Sequence, residues 1–186
     1  MIFMNKLKKA IMAALIGGTM MATAICSAAV SNSQLTLGGI AFMSSPSYAQ
    51  QVYGGELFTN SDGAAFLDYG TFKIYYTTST AQEKIKATRP GYYMATSIAS
   101  IANNGIATPA GIKVGMKADE LTSIYGEPDV TLSKNDSTLL QQLGVSYDKL
   151  YIYYAPNGGK ICFMLQKNLL DHSKIVGILI TDTEIH

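Results

Sequence analysis

The chain is close to neutral, with 14 Lys and Arg against 13 Asp and Glu among 186 residues and a formal net charge of +1. A nucleic-acid-binding protein is expected to have a basic excess, which this composition lacks. The two cysteines and two histidines form no cluster with the ligand spacing of a zinc site. No metal, no cofactor and no nucleic acid partner are therefore expected.

Residues 1–29 have the pattern of a secretory signal peptide. Three lysines lie in the first nine residues, residues 10–25 are mostly apolar or small, and Ser27-Ala28-Ala29 suits signal peptidase. The apolar core is shorter than the ~20 residues that a membrane-spanning helix needs. We predict cleavage after Ala28 or Ala29 and an exported protein, periplasmic or extracellular, with no membrane span after signal removal.

Signal removal changes both the charge and the cysteine count. It leaves 11 basic residues against 13 acidic ones, a net charge of −2. A lipid on Cys26 is the less favoured alternative, because Ile25 precedes it where lipoprotein signals have a small residue. Cys162 then remains alone within the apolar stretch 160–165, which favours a buried small hydrophobe over a reactive thiol.

The first half of the mature chain is predicted to contain one helix and two strands after an arm at 30–39. Ser45 is a favoured N-cap, Pro46 suits the first helical position, and Gly54 ends the helix. The turn formers at 60–63 predict a loop. Strands are predicted over 72–78 and 92–102 from their β-branched and aromatic residues, while 83–88 is either a strand or an extended loop.

The second half is predicted to follow the same order with an added short helix. Leu121, Ile124 and Tyr125 fall on one helical face, and Gly126 and Pro128 end that helix. The extra helix lies within 133–144, with Asp136 as its N-cap. The predicted strands, separated by a turn at 156–159 and by a later loop, cover 150–154, 160–166 and 174–181.

A spacing of 72 residues relates the two halves. Ile40, Val52 and Gly54 precede Ile112, Ile124 and Gly126 by that distance. The sequence thus predicts an α+β fold of two tandem helix-plus-antiparallel-sheet repeats, with the helices packed on one face of the sheet. The predicted first repeat covers 40–106 and the second covers 107–186.

Alternation along the strands predicts which side chains face the helices, since successive side chains point to opposite faces. The predicted helix-facing sets are Phe72, Ile74 and Tyr76 in the first repeat, and Leu150, Ile152 and Tyr154 in the second. This leaves an open face with four candidate protein-binding residues, Lys73, Tyr75, Tyr151 and Tyr153. Tyrosine offers large rigid contact area and one polar group, although it is also an ordinary strand residue. The loops at 56–63 and 131–136 are the next places to look for a site.

No catalytic residues are predicted. His172 lies in a polar turn and His186 is the last residue, and neither has a nucleophile beside it in a recognisable motif. The neighbouring carboxylates of Asp119 and Glu120 do not face each other on a helix and instead suit its first turn.

One motif resembles a known family. Residues 111–128 read Gly-Ile-x-Val-Gly-Met-x-x-x-Glu-Leu-x-x-x-Tyr-Gly-x-Pro, which is similar to the helix-then-sheet unit of the small barrel-assembly lipoproteins, the SmpA/OmlA (BamE-like) family. Two such units in tandem resemble the β-lactamase inhibitory protein architecture. Residues 38–56 depart from the motif, because Met43 stands where a glycine is expected. The resemblance implies a non-enzymatic envelope or secreted protein whose sheet face meets other proteins.

These features together predict an exported, non-enzymatic protein-binding module, active in envelope assembly or as an enzyme inhibitor. Its partner would be another envelope or secreted protein. Two alternatives stay open at this point: a structural envelope protein without a dedicated ligand, and a small-ligand or carbohydrate-binding protein.

Overall fold

The computed structural model describes residues 30–59, 64–77, 93–133, 138–167 and 173–185. The predicted signal segment, the ambiguous run 83–88, Asp136 and both histidines lie outside the described residues. Within the described ranges, no helix is both long and apolar enough to cross a membrane.

The fold is built on one antiparallel sheet of eight strands, with a small hairpin beside it. The hairpin pairs β1 (Thr36–Leu37) with β2 (Ile40–Ala41). The sheet comprises β3 (Phe58–Thr59), β4 (Ala65–Asp68), β5 (Phe72–Thr77), β6 (Met94–Ser100), β7 (Val130–Ser133), β8 (Lys149–Tyr154), β9 (Lys160–Lys167) and β10 (Ser173–Thr181). Their order across the sheet is β3-β4-β5-β6-β10-β9-β8-β7. The outermost strands are therefore the short β3 and β7.

The described residues include three short α-helices beside the sheet: α1 (Pro46–Tyr53), α2 (Ala118–Tyr125) and α3 (Thr138–Gln142). The predicted signals set the ends of α1, which begins at proline after an extended Ser45 and stops at Gly54 with φ 74°. In α2 the Glu120 carboxylate accepts a hydrogen bond from the Lys117 backbone N–H at 2.7 Å. Glu120 therefore has the helix-capping role expected of an acid in the first turn.

The predicted fold class of two tandem helix-plus-sheet repeats is wrong. The protein is mostly antiparallel strand, with one continuous sheet and few helices. Strands β6 and β10 pair directly, with Ser97 opposite Thr181 and Ile98 opposite Ile180. This pairing joins the two chain halves into one hydrogen-bonded layer across the predicted boundary at 106/107. The prediction also missed β3, β4 and β7, which are too short to give a clear period-2 pattern.

The prediction that all the helices pack on one face of the sheet is wrong. The larger core lies under α1 and α2, where Ala49, Leu121 and Tyr125 pack on the sheet beside Ile74 and other buried side chains. The smaller core lies on the opposite face, where α3 and the turn after it cover β8, β9 and β10. Its buried members are Ala99, Leu140, Leu143, Tyr147, Leu150, Ile152, Cys162, Met164 and Leu179. Cys162 is fully buried and free, in agreement with the prediction of a small core hydrophobe.

The predicted buried face of the two longer helices is partly wrong. Tyr125 and Leu121 are buried, but Ile124 and Val52 are each 50% exposed. The buried residues of α2 are Ala118, Leu121 and Tyr125, which are three and four residues apart and form the narrow stripe that the helix turns towards the core. Ile124 lies beyond the edge of that stripe.

Candidate functional site

Two of the four predicted site residues lie close together on β5. Tyr75 and Lys73 are two residues apart and half-buried, on the face opposite α1 and α2. The Lys73 ammonium forms an ion pair with the Asp68 carboxylate on β4 at 2.8 Å. That hydrogen bond lowers the pKa of Asp68 and raises the pKa of Lys73. The first-half strand face was thus predicted correctly.

The other two predicted site residues, Tyr151 and Tyr153, lie on the opposite face of the sheet. Tyr153 is fully buried, its ring packs against Tyr125 at 5.5 Å, and its hydroxyl donates to the Gly126 carbonyl at 3.0 Å. Tyr151 is half-buried against the same core. The open-face assignment of both tyrosines was therefore wrong, and the four predicted residues do not form one patch.

The physical reason for this inversion is α3. In β8 the side chains of Leu150 and Ile152 turn away from α1 and α2 and pack under Leu140 and Leu143. The pattern Leu-Tyr-Ile-Tyr is apolar enough on both sides to be buried on either one. Only the position of the extra helix decides which side chains face the smaller core.

Three aromatic side chains form a row at the β3 end of the sheet, on the face opposite α1 and α2. We call Phe58, Phe66 and Tyr75 the aromatic row. Phe66 is directly opposite both Phe58 on β3 and Tyr75 on β5. The rings of Phe58 and Phe66 stack with centroids 5.5 Å apart at 25°, and those of Phe66 and Tyr75 lie 6.5 Å apart. Phe58 is 52% exposed, while its two neighbours are half-buried. The row thus becomes more exposed towards the sheet edge.

The same register line continues across the centre of the sheet and ends in a second, separate group. Beyond Tyr75, the strand partners are Ser97, Thr181, Lys160 and Tyr154 in turn. The hydroxyls of Ser97 and Thr181 hydrogen-bond to each other at 2.8 Å and are buried. The Lys160 ammonium lies 5.5 Å from the Tyr154 ring centroid, and that ring is 42% exposed. The side chains along this register line are therefore exposed at its two ends and buried in its middle.

The other exposed apolar side chains lie on or just before the helices. Tyr48 and Val52 are one turn apart on α1 and are 45% and 50% exposed. Ile124 is on α2 and is 50% exposed. Met43 precedes α1 with a left-handed φ of 70° and is 38% exposed. None of these side chains has a ring contact with another, so they are scattered residues of the ordinary kind.

The described residues do not bring metal-ligating side chains together. No group of three or more His, Cys, Asp or Glu side chains lies close enough to hold a metal ion in that part of the chain. Burial raises the pKa of the Cys162 thiol to about 12, so the reactive thiolate is disfavoured at neutral pH. The aromatic row and its neighbours offer ring contacts and one ion pair.

Comparisons with known proteins add no relative to this description. No protein family, curated protein or solved structure matches the chain.

Sequence reasoning missed Phe58, Phe66 and Lys160. Phe58 falls within 56–63, the first loop singled out as the next place to look, but the two-residue strand that holds it gives no periodic signal. Phe66 and Asp68 alternate with the buried Ala65 and Leu67, a four-residue pattern that is detectable only once its neighbours are known to be strands. Lys160 gave no signal at all, because a lysine at the start of a strand is usually solvated.

Proposed function

We propose that this chain is an exported, non-enzymatic protein-binding module and that the aromatic row is the centre of its contact surface. The observation that supports the proposal best is Phe58, a large aromatic side chain that is 52% exposed on the outermost strand and stacked on a second ring. Single exposed apolar residues are common. Three adjoining rings on one face make a larger apolar surface, of the kind that is typical of interaction sites.

The composition of the row and its surroundings favours a protein over a carbohydrate as the ligand. The rings of Phe58 and Phe66 stack on each other at 25°, so one face of each ring is closed to a sugar that would stack on it. Their outward edges can still contact apolar side chains of a partner. The Asp68–Lys73 pair next to the row adds polar groups at the margin, as interfaces do around an apolar centre.

The proposed partner is another envelope or secreted protein, as the predicted signal segment and the motif at 111–128 both suggest. Phe58 lies on the edge strand β3, where a partner can approach without displacing an element of the sheet. We expect the partner to insert an apolar side chain beside Phe58 and to place polar groups near Lys73.

The experiment that tests this proposal is site-specific photo-crosslinking of the full chain in its native compartment. A photoreactive benzoylphenylalanine replaces Phe58 in one variant and Ile124 in a matched control, because the two residues are 52% and 50% exposed on opposite faces of the sheet. We expect a discrete adduct from position 58 that is absent at position 124. No adduct at 58, or the same adducts from both positions, would count against the aromatic row.

A further inference from the structure

A second site is centred on Lys160, at the other end of the register line. Its side chain is only 6% exposed, although it is a cation. Lysine usually keeps its ammonium in water even when its stem is covered. Burial at this level is rare for lysine unless the charge is paired.

The Lys160 charge has no hydrogen bond or ion pair with any of the described residues. The ammonium lies over the Tyr154 ring, 5.5 Å from its centroid. A cation over an aromatic face gains some electrostatic energy, but the ring supplies no carboxylate or carbonyl acceptor for its N–H groups. These donors are therefore left to solvent or to a ligand.

The acid next to the strand neighbour of Lys160 does not form an ion pair with it. Asp182 follows Thr181, the strand neighbour of Lys160, and its carboxyl lies beyond ion-pair distance. Burial raises the pKa of Asp182, and its own backbone hydrogen bond and the Lys160 charge only partly oppose this effect. The internal hydroxyls are engaged as well, since Ser97 and Thr181 bond to each other.

The ammonium is nevertheless not completely buried. The described side-chain atoms that are both fully buried and unpartnered are Ser44 Oγ and Tyr76 Oη. The Lys160 ammonium is unpartnered but is not one of them, so it keeps some contact with solvent. The exposed Tyr154 ring stands beside that opening.

We propose that Lys160 and Tyr154 form a carboxylate-binding site, separate from the aromatic row and additional to the proposed function. A carboxylate supplies the single opposite charge and the hydrogen-bond acceptors that the ammonium lacks. One ammonium suits one monovalent carboxylate, whereas phosphate sites generally combine several donors, in the form of Arg forks or backbone N–H groups. The Tyr154 ring offers an apolar contact for the carbon chain that bears the carboxylate.

The test uses the full chain and sodium acetate as the probe, against sodium chloride at equal ionic strength. We expect acetate to raise the Tm of the parent more than chloride does, and to shift the ammonium NMR resonance of Lys160. Lys160→Met should weaken acetate binding about tenfold or more, as expected for the loss of a charge-assisted hydrogen bond. Lys149→Met is the matched control, since Lys149 is an exposed lysine on the adjoining strand, and it should bind acetate like the parent.

A second arm distinguishes the sources of the carboxylate. A blocked Leu-Glu-Leu tripeptide that binds more tightly than acetate, and more tightly than its Gln twin, would assign the site to an acidic side chain of a protein. Tighter binding of acetate would assign it to a small carboxylate. The proposal is overturned if neither probe moves the Lys160 resonance, if Lys160→Met and Lys149→Met respond alike, or if inorganic phosphate binds more tightly than both. Crosslinking at Phe58 is independent of all these outcomes.

Discussion

Two fully buried tyrosines, one with a hydrogen-bonded hydroxyl and one without, should respond in opposite ways to the same substitution. Tyr76 and Tyr153 are both fully buried, and burial raises the pKa of each. The Tyr153 hydroxyl donates to the Gly126 carbonyl at 3.0 Å. The Tyr76 hydroxyl has no hydrogen-bond partner among the described residues. Tyr→Phe removes one oxygen at each site and keeps the ring.

The expected free-energy changes follow from this difference. Loss of a hydrogen bond costs about 0.5–1.5 kcal/mol, so Tyr153→Phe should lower the free energy of unfolding by about 1 kcal/mol. A buried polar group without a partner costs about 1–3 kcal/mol, and the small space left by the oxygen offsets part of the gain from removing it. Tyr76→Phe should therefore raise the free energy of unfolding by about 1 kcal/mol.

Equilibrium urea unfolding of the parent and both variants, analysed with one shared m-value, measures the two changes. For a chain of this size, a separation of about 2 kcal/mol corresponds to roughly 4–8 °C between the two Tm values. Equal destabilisation by both substitutions would refute the reasoning, because it would mean that the Tyr76 hydroxyl also makes a stabilising hydrogen bond.

Four further substitutions test the packing, the backbone and the charges. Ile124→Ala should change the free energy of unfolding by no more than about 0.5 kcal/mol, whereas Leu121→Ala should cost about 2–5 kcal/mol; similar losses would place Ile124 in the core. Met43→Gly should stabilise by about 1 kcal/mol, because glycine adopts the left-handed φ of 70° without the strain of a side chain; a lower Tm would mean that the methionine side chain contributes more than this strain costs. The hydrogen bond from Lys73 lowers the pKa of Asp68, so the small stabilisation from this pair should be present above about pH 4 and lost as the pH falls further. Lys73→Met should remove that part of the pH dependence, and an unchanged urea–pH profile would show that the pair contributes nothing.

The long strands and the helix ends could be predicted because each rests on a local signal. Aromatic and β-branched residues identify β5, β8, β9 and β10, and the Ser45-Pro46 and Gly126 signals locate the helix ends. Cys162 was likewise correctly placed in the core, since its neighbours are apolar on both sides.

The features that failed depend on tertiary contacts. The faces of β8 could not be read from Leu150 to Tyr153, because all of these side chains can be buried and α3 selects among them. The continuous sheet could not be predicted from the sequence either, since it depends on the pairing of β6 with β10, whose paired residues are about 80 positions apart in the chain. The aromatic row is assembled from three strands, two of which have four residues or fewer, so its members are invisible as a group in the sequence.

The most direct test of the proposed function is the affinity of the partner recovered by crosslinking for three forms of the full chain. These are the parent, Phe58→Ser and Ile124→Ser, each first shown to be folded by its Tm. Truncation of a central interface aromatic can cost at least ~2 kcal/mol, about thirtyfold in Kd. We predict that Phe58→Ser weakens binding by that order while Ile124→Ser binds like the parent. Equal affinity of Phe58→Ser and the parent, or equal loss in both variants, would contradict a contact surface centred on the aromatic row.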